Sequence, residues 1–547
     1  MHVLIGGAWV YANGSIHVGH VAALIAGDVI ARYYRQKGDQ VCYVSGSDCH
    51  GTPITLKAKE ENKSPEDIAE YYHREFVTCF NGLGFSYDHY GKTTSQNHKT
   101  FVSDFHKTLY KNKEAIIEKE VEQAYCEDCH KFLPDRYVEG KCPICGEDTR
   151  GDQCDACGSV IEPESLQEAS CAICGKRISL KKTNHLYLKL SHDEQQLREL
   201  VNKKGHYWRD NAVSFTNRYL NEGLRDRALT RDISWGIHVP RQGYEEKRIY
   251  IWAENILGYL SATWAMDQGK TFEQYWKNDS ARHYYIHGKD NIPFHSIILP
   301  GLLLAQGEAY HLPDYIISSE YLTLEHRKIS TSKNYAVWVK DLLERYDPDS
   351  IRYFLITNAP EKRDTDFSFR EFIKRHNGEL LGAYGNFVHR SLVFIVKYFD
   401  ACVPRGEMDQ QINDDLKGLY NQVSALIENG CMKESLDTLF SYIRKANKYF
   451  DDKKPWETRT LNVRACQETL YNCVQIIANL ATLLQPFIPF SSDKVLSIFQ
   501  LNSRWEMKTV EGGYPIEEPE ILFERIDKKV IEQENQRLGI KSQKSSS

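Results

Sequence analysis

The segment YANGSIHVGH, residues 11–20, decides the fold class of the chain. An apolar run over residues 2–10 precedes it and predicts a buried strand, and apolar residues recur at helical spacing after it, up to Ile30. Gly14 and Gly19 interrupt the pattern between these two elements. A strand, a glycine turn and a helix in this order predict the start of a Rossmann-type, doubly wound α/β sheet.

Two further segments supply strands of the same predicted sheet. Val41–Ser45 is apolar and runs into the polar stretch SGSDCHGTP, as expected where a parallel strand ends at a ligand-binding edge. Another apolar run ends at Gly288 and suits a buried parallel strand. Between these strands, residues 116–235 carry cysteine pairs and short turns with little periodicity in the first part, which predicts an insertion that splits the sheet.

From about residue 371 the pattern changes to long amphipathic segments, which predict a helical bundle. The predicted fold is therefore an α/β sheet split by an insertion and followed by an α-helical domain. The predicted units are a first catalytic half at 1–115, the insertion at 116–235, a second catalytic half at 236–322, a linker at 323–370, the helical domain at 371–540 and a disordered tail at 541–547.

The composition is that of an ordinary globular protein, with 547 residues, 26% charged and 41% apolar, and a net charge of −6. This charge neither supports nor excludes a nucleic-acid partner, because phosphate binding depends on clustered basic residues. The N-terminus lacks the features of a signal peptide, and no run approaches the roughly 18 apolar residues of a membrane span. We therefore predict a cytoplasmic protein without membrane contact, and a monomer, since no further module follows about residue 540.

Eight of the 15 cysteines form four CxxC pairs, a grouping that favours a metal over disulfides. Eight thiolates suffice for two closed tetrahedral zinc sites, which have no open position for catalysis and are structural. The two zinc ions can be held sequentially, each by neighbouring pairs, or in a nested arrangement with an inner and an outer site; we favour the nested one. The pairs are Cys126 and Cys129, Cys142 and Cys145, Cys154 and Cys157, and Cys171 and Cys174.

Two short motifs carry chemistry only in combination. His17 and His20 lie three residues apart at the predicted start of a helix, where they can share one helical face and donate hydrogen bonds to a phosphate. Taken alone, such a pair is more often a surface pair or half a zinc site. The second motif, HRKISTSKN at residues 326–334, is on its own an ordinary solvated loop.

In this order, HVGH resembles the HIGH signature and KISTS the KMSKS signature of class I aminoacyl-tRNA synthetases. Nearly the whole chain is similar to bacterial methionyl-tRNA synthetases, through YANGSIHVGH, DCHGTPI, FLPDR, CPIC, IYIW, GKDNIPFHS and RYDPDSIRYF. The resemblance implies a Rossmann catalytic domain split by a zinc-knuckle insertion, a linker with the KMSKS-like loop, and a helical anticodon-binding domain. It also implies that the chain joins L-methionine to tRNA(Met), initiator and elongator, using ATP with Mg²⁺.

The resemblance further implies the roles of individual residues. Asp48 matches the carboxylate that receives the methionine ammonium group, and Trp456 the residue that stacks on the first anticodon base. The implied sets are, for catalysis, His17, His20, Lys328 and Lys333; for methionine, Trp9, Tyr11, Asp48, Trp252, Tyr259 and His295; for ATP, Gly19, Lys289, Asp290, Ser330 and Thr331; and for the anticodon, Asn386, Arg390 and Trp456.

Three departures from the family pattern bear on the site. The usual Leu-Pro is Trp9-Val10, the usual Ala-Pro after the pocket tryptophan is Asn255-Ile256, and the second lysine of the KMSKS signature is Thr331. We expect Lys333 to supply the missing charge. Two other functions stay open: a nucleotidyl transferase for a small substrate that never meets tRNA, and an inactive paralogue that binds RNA or zinc.

Overall fold

A computed structural model describes residues 1–133, 137–151, 154, 161, 165–331 and 334–539. The strands are β1 His2–Gly7, β2 Val10–Tyr11, β3 Gln40–Asp48, β4 His89–Lys92, β5 Ile116–Cys126, β6 Lys131–Phe132, β7 Val138–Lys141, β8 Asp148–Arg150, β9 Gln167–Cys171, β10 Ser179–Leu188, β11 Arg227–Ala228, β12 Thr230–Arg231, β13 Arg248–Ile249, β14 Arg282–Gly288, β15 Tyr315–Ser319, β16 Leu322–Leu324, β17 Arg327–Lys328 and β18 Thr365–Phe367.

Helices surround the sheet and form the C-terminal part of the chain. They are α1 Val18–Gln36, α2 Thr52–Glu61, α3 Pro65–Gly82, α4 Gln96–Leu109, α5 Glu194–Lys204, α6 Asp210–Asn221, α7 Ile251–Glu254, α8 Gly258–Asp267, α9 Phe272–Trp276, α10 Leu299–Ala305, α11 Val339–Leu343, α12 Pro348–Thr357, α13 Phe369–Arg375, α14 Asn386–Tyr398, α15 Gln410–Glu428, α16 Met432–Lys453, α17 Pro455–Leu461, α18 Val463–Leu484, α19 Pro489–Ile498 and α20 Val530–Arg537.

The central sheet is parallel and has the order β15-β14-β1-β3, with β2 and β4 both paired to β3. Strand β1 lies in the middle, and its residues Val3, Leu4 and Ile5 are fully buried because helices cover both faces. The chain order reverses at β1, so the carboxyl ends of β1, β3 and β14 define the switch point at which such sheets bind ligands. The predicted α/β class is confirmed.

The insertion lies between β4 and β14, and its cysteine-bearing part has only a small buried core. Strands β5 and β10 form a long antiparallel ladder, which carries a smaller sheet of order β8-β7-β9. Among the described residues, the buried cluster around this smaller sheet has nine members, of which four are cysteines and five are aliphatic residues such as Leu133 and Val138. A segment with so few apolar side chains requires another source of stability, as small metal-bound modules do.

The helical part packs directly on the parallel sheet and on α1. Helix α18 is buried on nearly all sides and forms the centre of the bundle. Arg352 of α12 pairs with Asp28 of α1 at 2.7 Å, and both side chains are fully buried. The same guanidinium donates to the backbone oxygens of Leu83, Pro486 and Phe487. Arg352 therefore connects α1 to the helical bundle through hydrogen bonds. No helix in the described part of the chain combines the length and apolar character needed to cross a bilayer.

Candidate functional site

The histidine pair lies where β1 and β2 lead into α1. His17 is the N-cap of α1, and its Nδ1 accepts the N–H of Gly19 at 3.1 Å. His20 Nδ1 accepts the N–H of His17 at 3.2 Å, and the two rings stack with their centroids 3.9 Å apart. Since each Nδ1 is an acceptor, each neutral ring carries its proton on Nε2. The pair therefore offers two Nε2–H donors at a helix N-terminus.

Burial keeps both rings neutral. It lowers the pKa of His17 to about 2, with a contribution from His20, and the pKa of His20 to about 4. The prediction that both histidines share a helical face was wrong in one respect: His17 has extended backbone angles and precedes the helix. The stacking arises because the capping hydrogen bonds draw both rings to the same helix end.

Gly19 is required by the stacked rings and also contacts the second motif. A Cβ at residue 19 would lie 2.9 Å from Cε1 of His17, which is too close for any side chain. The same position is 3.5 Å from Cδ1 of Ile329 in the KISTS loop. Beyond that loop, Val337 and Val339 hydrogen-bond to Val18 and Ile16, so the two motifs meet at the start of α1.

Asp48 lies at the carboxyl end of β3 in a buried acidic site. Its side chain is 0% exposed, and it accepts hydrogen bonds from Asn255 Nδ2 at 2.7 Å and from the N–H of His50 at 3.4 Å. Burial raises the pKa of Asp48 well above its usual value, and the neighbouring Glu254 carboxylate adds to the rise. The site therefore favours a cationic ligand that would pair with this carboxylate.

Glu254 is also fully buried, and two histidines contact its carboxylate. His50 Nδ1 makes a very short contact with Oε1, and His98 Nε2 lies 3.8 Å from the same oxygen. Burial opposes the ionisation of Glu254, yet the two histidines outweigh it and lower its pKa to about 2. The second carboxylate oxygen is buried without a hydrogen-bond partner among the described residues.

Beside the acidic site is a cluster of aromatic residues, at the predicted methionine pocket. Tyr259 Oη lies 2.8 Å from His295 Nε2, and His295 Nδ1 lies 2.8 Å from the backbone oxygen of Asn291. His295 therefore donates from Nδ1 and accepts from the Tyr259 hydroxyl, and burial lowers its pKa to about 4. Trp252 stacks on Phe294 with 3.8 Å between ring centroids. These neutral, polarisable walls suit an apolar side chain.

Trp9 and Tyr11 border the same pocket from β2 and the residues before it. The Tyr11 ring meets Trp252 edge-on at 6.1 Å. The Trp9 indole packs against the backbone of two glycines. A Cβ at Gly46 would lie 2.6 Å from the indole, and a Cβ at Gly258 would lie 2.5 Å from it. The departure at Trp9 is thus accommodated by residues that have no side chain.

The residues expected near the nucleotide form a charged group at the ends of β14 and β15. Lys289 Nζ pairs with Glu320 at 2.6 Å and lies 3.9 Å from the ring centre of Tyr321, whose hydroxyl donates to Asp290. Lys328 lies 5.9 Å from the same ring. The structure thus brings these three predicted residues to one place.

Backbone hydrogen bonds join the described residues on the two sides of positions 332–333 in the KISTS loop. Ser330 and Tyr335 exchange two backbone hydrogen bonds of 2.9 Å, and Thr331 is exposed. Lys333 lies outside the described residues, so its expected role stays a prediction.

The structure collects the described cysteines of the insertion into two groups with a nested order. Within each group the Sγ atoms lie within 4.8 Å of one another. Backbone N–H groups donate to the sulfurs of Cys126, Cys142 and Cys171 over 3.4 Å. The outer group is Cys126, Cys129, Cys171 and Cys174, and the inner one is Cys142, Cys145 and Cys154; Cys157 lies outside the described residues.

The three predicted anticodon residues share one face of the helical part. Arg390 of α14 donates to Asp451 at 2.7 Å, and its guanidinium lies 4.3 Å over the ring of Phe450. Trp456 is 46% exposed, and its ring lies 6.2 Å from that of Phe450. Asn386 is exposed one helical turn before Arg390. An exposed tryptophan beside a basic side chain is a suitable platform for an unstacked base.

Sequence reasoning missed the residues that complete the acidic site: His50, Glu254, His98 and the donor role of Asn255. His50 lies two positions after Asp48, and Glu254 lies two positions after Trp252. This nearness to predicted site residues was the signal available in the sequence. They were not found because His98 and Glu254 are 156 positions apart and no periodicity links α4 to α7.

Comparisons with known proteins agree along the whole chain. Residues 3–392 match the family tRNA synthetases class I (M), and residues 401–543 match the anticodon binding domain of methionyl tRNA ligase. The chain is 52% identical to methionine–tRNA ligase 1 of Alkaliphilus oremlandii over 98% of this chain and 100% of the relative. It is 53% identical to a methionine–tRNA ligase of Bacillus cereus strain B4264, with 98% of both chains covered.

A solved structure shows the same fold. The crystal structure of Mycobacterium tuberculosis methionyl-tRNA synthetase bound by methionyl-adenylate is similar with a TM-score of 0.81. The two proteins are 22% identical, and the match covers 96% of this chain and 100% of the other.

Proposed function

The chain belongs to the methionine–tRNA ligases of the class I tRNA synthetases, and we propose from this that it activates L-methionine with ATP and esterifies it to tRNA(Met). The observation that carries the proposal is the meeting of three parts at one sheet edge. Tyr11 and Ala12 pair with Asp48, so the histidine turn, the buried carboxylate and the aromatic pocket adjoin. Such an edge is where doubly wound sheets bind their ligands.

The chemistry consists of two displacements. A carboxylate oxygen of methionine attacks the α-phosphorus of ATP, supplied as its magnesium complex, and the bond to the leaving pyrophosphate breaks in line. The hydroxyl of the terminal tRNA ribose then attacks the carbonyl carbon of the adenylate, loses its proton and releases AMP. No side-chain nucleophile is needed, so the protein contributes positioning and charge stabilisation.

Each part of the site has a role in the first displacement. Asp48 pairs with the substrate ammonium group, and Trp9, Tyr11, Trp252, Tyr259 and His295 enclose the thioether. His17 and His20 donate from Nε2 to the phosphate whose charge grows in the transition state. Gly19, Lys289, Asp290, Ser330 and Thr331 border the nucleotide, and Lys328 keeps the first lysine of its signature.

Methionine-dependent exchange between ATP and pyrophosphate, followed by charging of tRNA, tests this function. Exchange with charging is the expected result. Exchange without charging would indicate the small-substrate nucleotidyl transferase, and neither activity would indicate a non-catalytic RNA- or zinc-binding paralogue.

Lys333 is proposed to replace the missing lysine of the loop, because Thr331 can donate a hydrogen bond but carries no charge. We expect Lys333→Ala to lower the adenylation rate about tenfold or more, equal to about 1.4 kcal/mol of transition-state stabilisation, with little change in methionine affinity. Single-turnover adenylate formation measures this rate. Thr331→Lys should be tolerated as the matched control, and a wild-type rate for Lys333→Ala would reject the role.

Two structural zinc ions per chain are proposed for the insertion. The donor set fits, since grouped thiolates with backbone N–H support are typical of closed zinc sites. Cys157 is proposed as the fourth ligand of the inner site. Elemental analysis of reduced protein should give two zinc ions, and Cys142→Ser should lower this to one and unfold the small sheet locally. Two zinc ions retained by Cys142→Ser, or fewer than two in the wild type, would contradict this assignment.

Trp456 is proposed to stack on the first anticodon base, with Asn386 and Arg390 completing the reading. Trp456→Ala should weaken tRNA binding by about 1 to 3 kcal/mol, the usual value of one stacked base, because the platform is removed. Filter binding measures the loss, while pyrophosphate exchange should be unchanged. Trp456→Phe keeps an aromatic plane and is the matched control. An equal fall of exchange and binding in Trp456→Ala would instead show a packing role.

The remaining proposals concern organisation. We propose the domain limits 1–115, 116–235, 236–322, 323–370 and 371–540, and activity as a monomer on both initiator and elongator tRNA(Met). One chain holds the catalytic and the anticodon residues, which supports the monomer. The thiol groups need a reducing compartment, which supports the cytoplasm.

A further inference from the structure

Asn255 donates a hydrogen bond from Nδ2 to Asp48 Oδ2 over 2.7 Å, and both side chains are buried. It begins a 3₁₀ turn directly after α7, between Glu254 and the pocket residue Tyr259. The family pattern has alanine at this place, and alanine offers no side-chain donor. The contact involves the carboxylate proposed to receive the substrate.

Asp48 depends on this donor more than Glu254 depends on any one partner. The Glu254 carboxylate has two side-chain contacts, with His50 and with His98. Among the described residues, no cationic side chain pairs with Asp48; its side-chain partner is Asn255, and the backbone N–H of His50 is a distant second at 3.4 Å. A fully buried carboxylate with so little support tends to take up a proton, and a protonated carboxyl group cannot pair with an ammonium ion.

The geometry of the bond also fixes the direction of the carboxylate. With Oδ2 held by Asn255, rotation of the Asp48 carboxyl group would break a charge-assisted hydrogen bond in a region shielded from water. Among the described residues, the hydrogen bond recorded for Oδ1 is the long one from the backbone N–H of His50. Oδ1 is thus the oxygen left for a ligand donor.

We propose that Asn255 is a positioning residue, which anchors one oxygen of Asp48 so that the other receives the α-ammonium group of the amino acid. The inference rests on the proposed function and adds to it the residue that sets recognition of the amino group. The expected consequence is selective: ligands that carry the ammonium group gain from Asn255, and ligands that lack it do not.

Asn255→Leu tests this selectivity, because leucine keeps the branched arrangement of heavy atoms and removes the donor. Three ligands are compared in pyrophosphate exchange: methionine, L-methioninol, which has the ammonium but no carboxylate, and 4-(methylsulfanyl)butanoate, which has the carboxylate but no ammonium. We expect the KM for methionine and the Ki for methioninol to rise about tenfold or more. A rise of this size corresponds to the free energy of one hydrogen bond to a charged group. The butanoate Ki, kcat at saturating methionine and the KM for ATP should stay within about twofold, a margin of roughly 0.4 kcal/mol.

Equal weakening of all three ligands would make Asn255 a packing residue, and no weakening of any would remove it from recognition; either result overturns the proposal. Asn255→Ala serves if the leucine variant does not fold. Wild-type protein that lacks methionine-dependent exchange would refute the proposed function instead. The methioninol and butanoate affinities are then compared by calorimetry in wild type and variant, with the same selective loss expected.

Discussion

Replacing Asp48 by asparagine is expected to lower kcat/KM for methionine by between about 10² and 10⁴. The ammonium group would enter a water-free site without its counter-charge, and breaking such a buried pair costs about 3 to 5 kcal/mol. Glu254 is not expected to substitute, because one of its carboxylate oxygens is already in contact with the rings of His50 and His98. Pyrophosphate exchange at varied methionine measures the loss.

Two further measurements on the Asp48→Asn variant serve as controls. The KM for ATP and the melting temperature of Asp48→Asn should stay near the wild-type values, since the asparagine Oδ1 can still accept from Asn255. A loss below tenfold would mean that the ammonium group binds elsewhere.

Replacing His17 by asparagine is expected to lower kcat by about 10² to 10³, the usual effect of removing one donor to a developing charge. The asparagine Oδ1 can take the place of Nδ1 as the cap acceptor for Gly19, so the helix start is kept while Nε2–H is lost. Rapid-quench adenylate formation measures kcat for this step.

His17→Gln is the complementary control. Its amide can reach the position of Nε2 but not cap the helix, so it should retain more activity than His17→Asn and lose about 0.5 to 2 kcal/mol of stability. The reverse order of activities would show that His17 acts through the helix cap. Because burial lowers the pKa of His17 to about 2 and of His20 to about 4, both rings stay neutral above pH 5 and should add no ionisation to the rate profile there.

Local patterns in the sequence were sufficient for the fold class. Apolar runs identified β1, β3 and β14. The CxxC spacing predicted an insertion with two cysteine groups but left their pairing open, and the described cysteines follow the nested order that we favoured. These features depend on neighbouring residues, whose periodicity or spacing is visible in one stretch of chain.

The finer site depends on contacts between distant stretches. Asn255 and Asp48 are 207 positions apart, and no spacing rule joins them. The position of Trp9 depends on the absence of side chains at Gly46 and Gly258, which a sequence presents only as two ordinary glycines. The capping bonds of the histidine pair likewise required the backbone conformation at His17, which the helical pattern alone predicted wrongly.

Charging of two tRNA transcripts tests the central claim most directly. Wild-type protein is supplied with ATP and methionine and with either a tRNA(Met) transcript or the same transcript bearing a changed anticodon. We predict methionylation of the first, with kcat/KM at least about 10³ higher than for the second, because the wrong bases lose both stacking at Trp456 and the contacts of Asn386 and Arg390, about 4 kcal/mol together. Equal charging of both transcripts, or pyrophosphate exchange with no charging of either, would contradict the account.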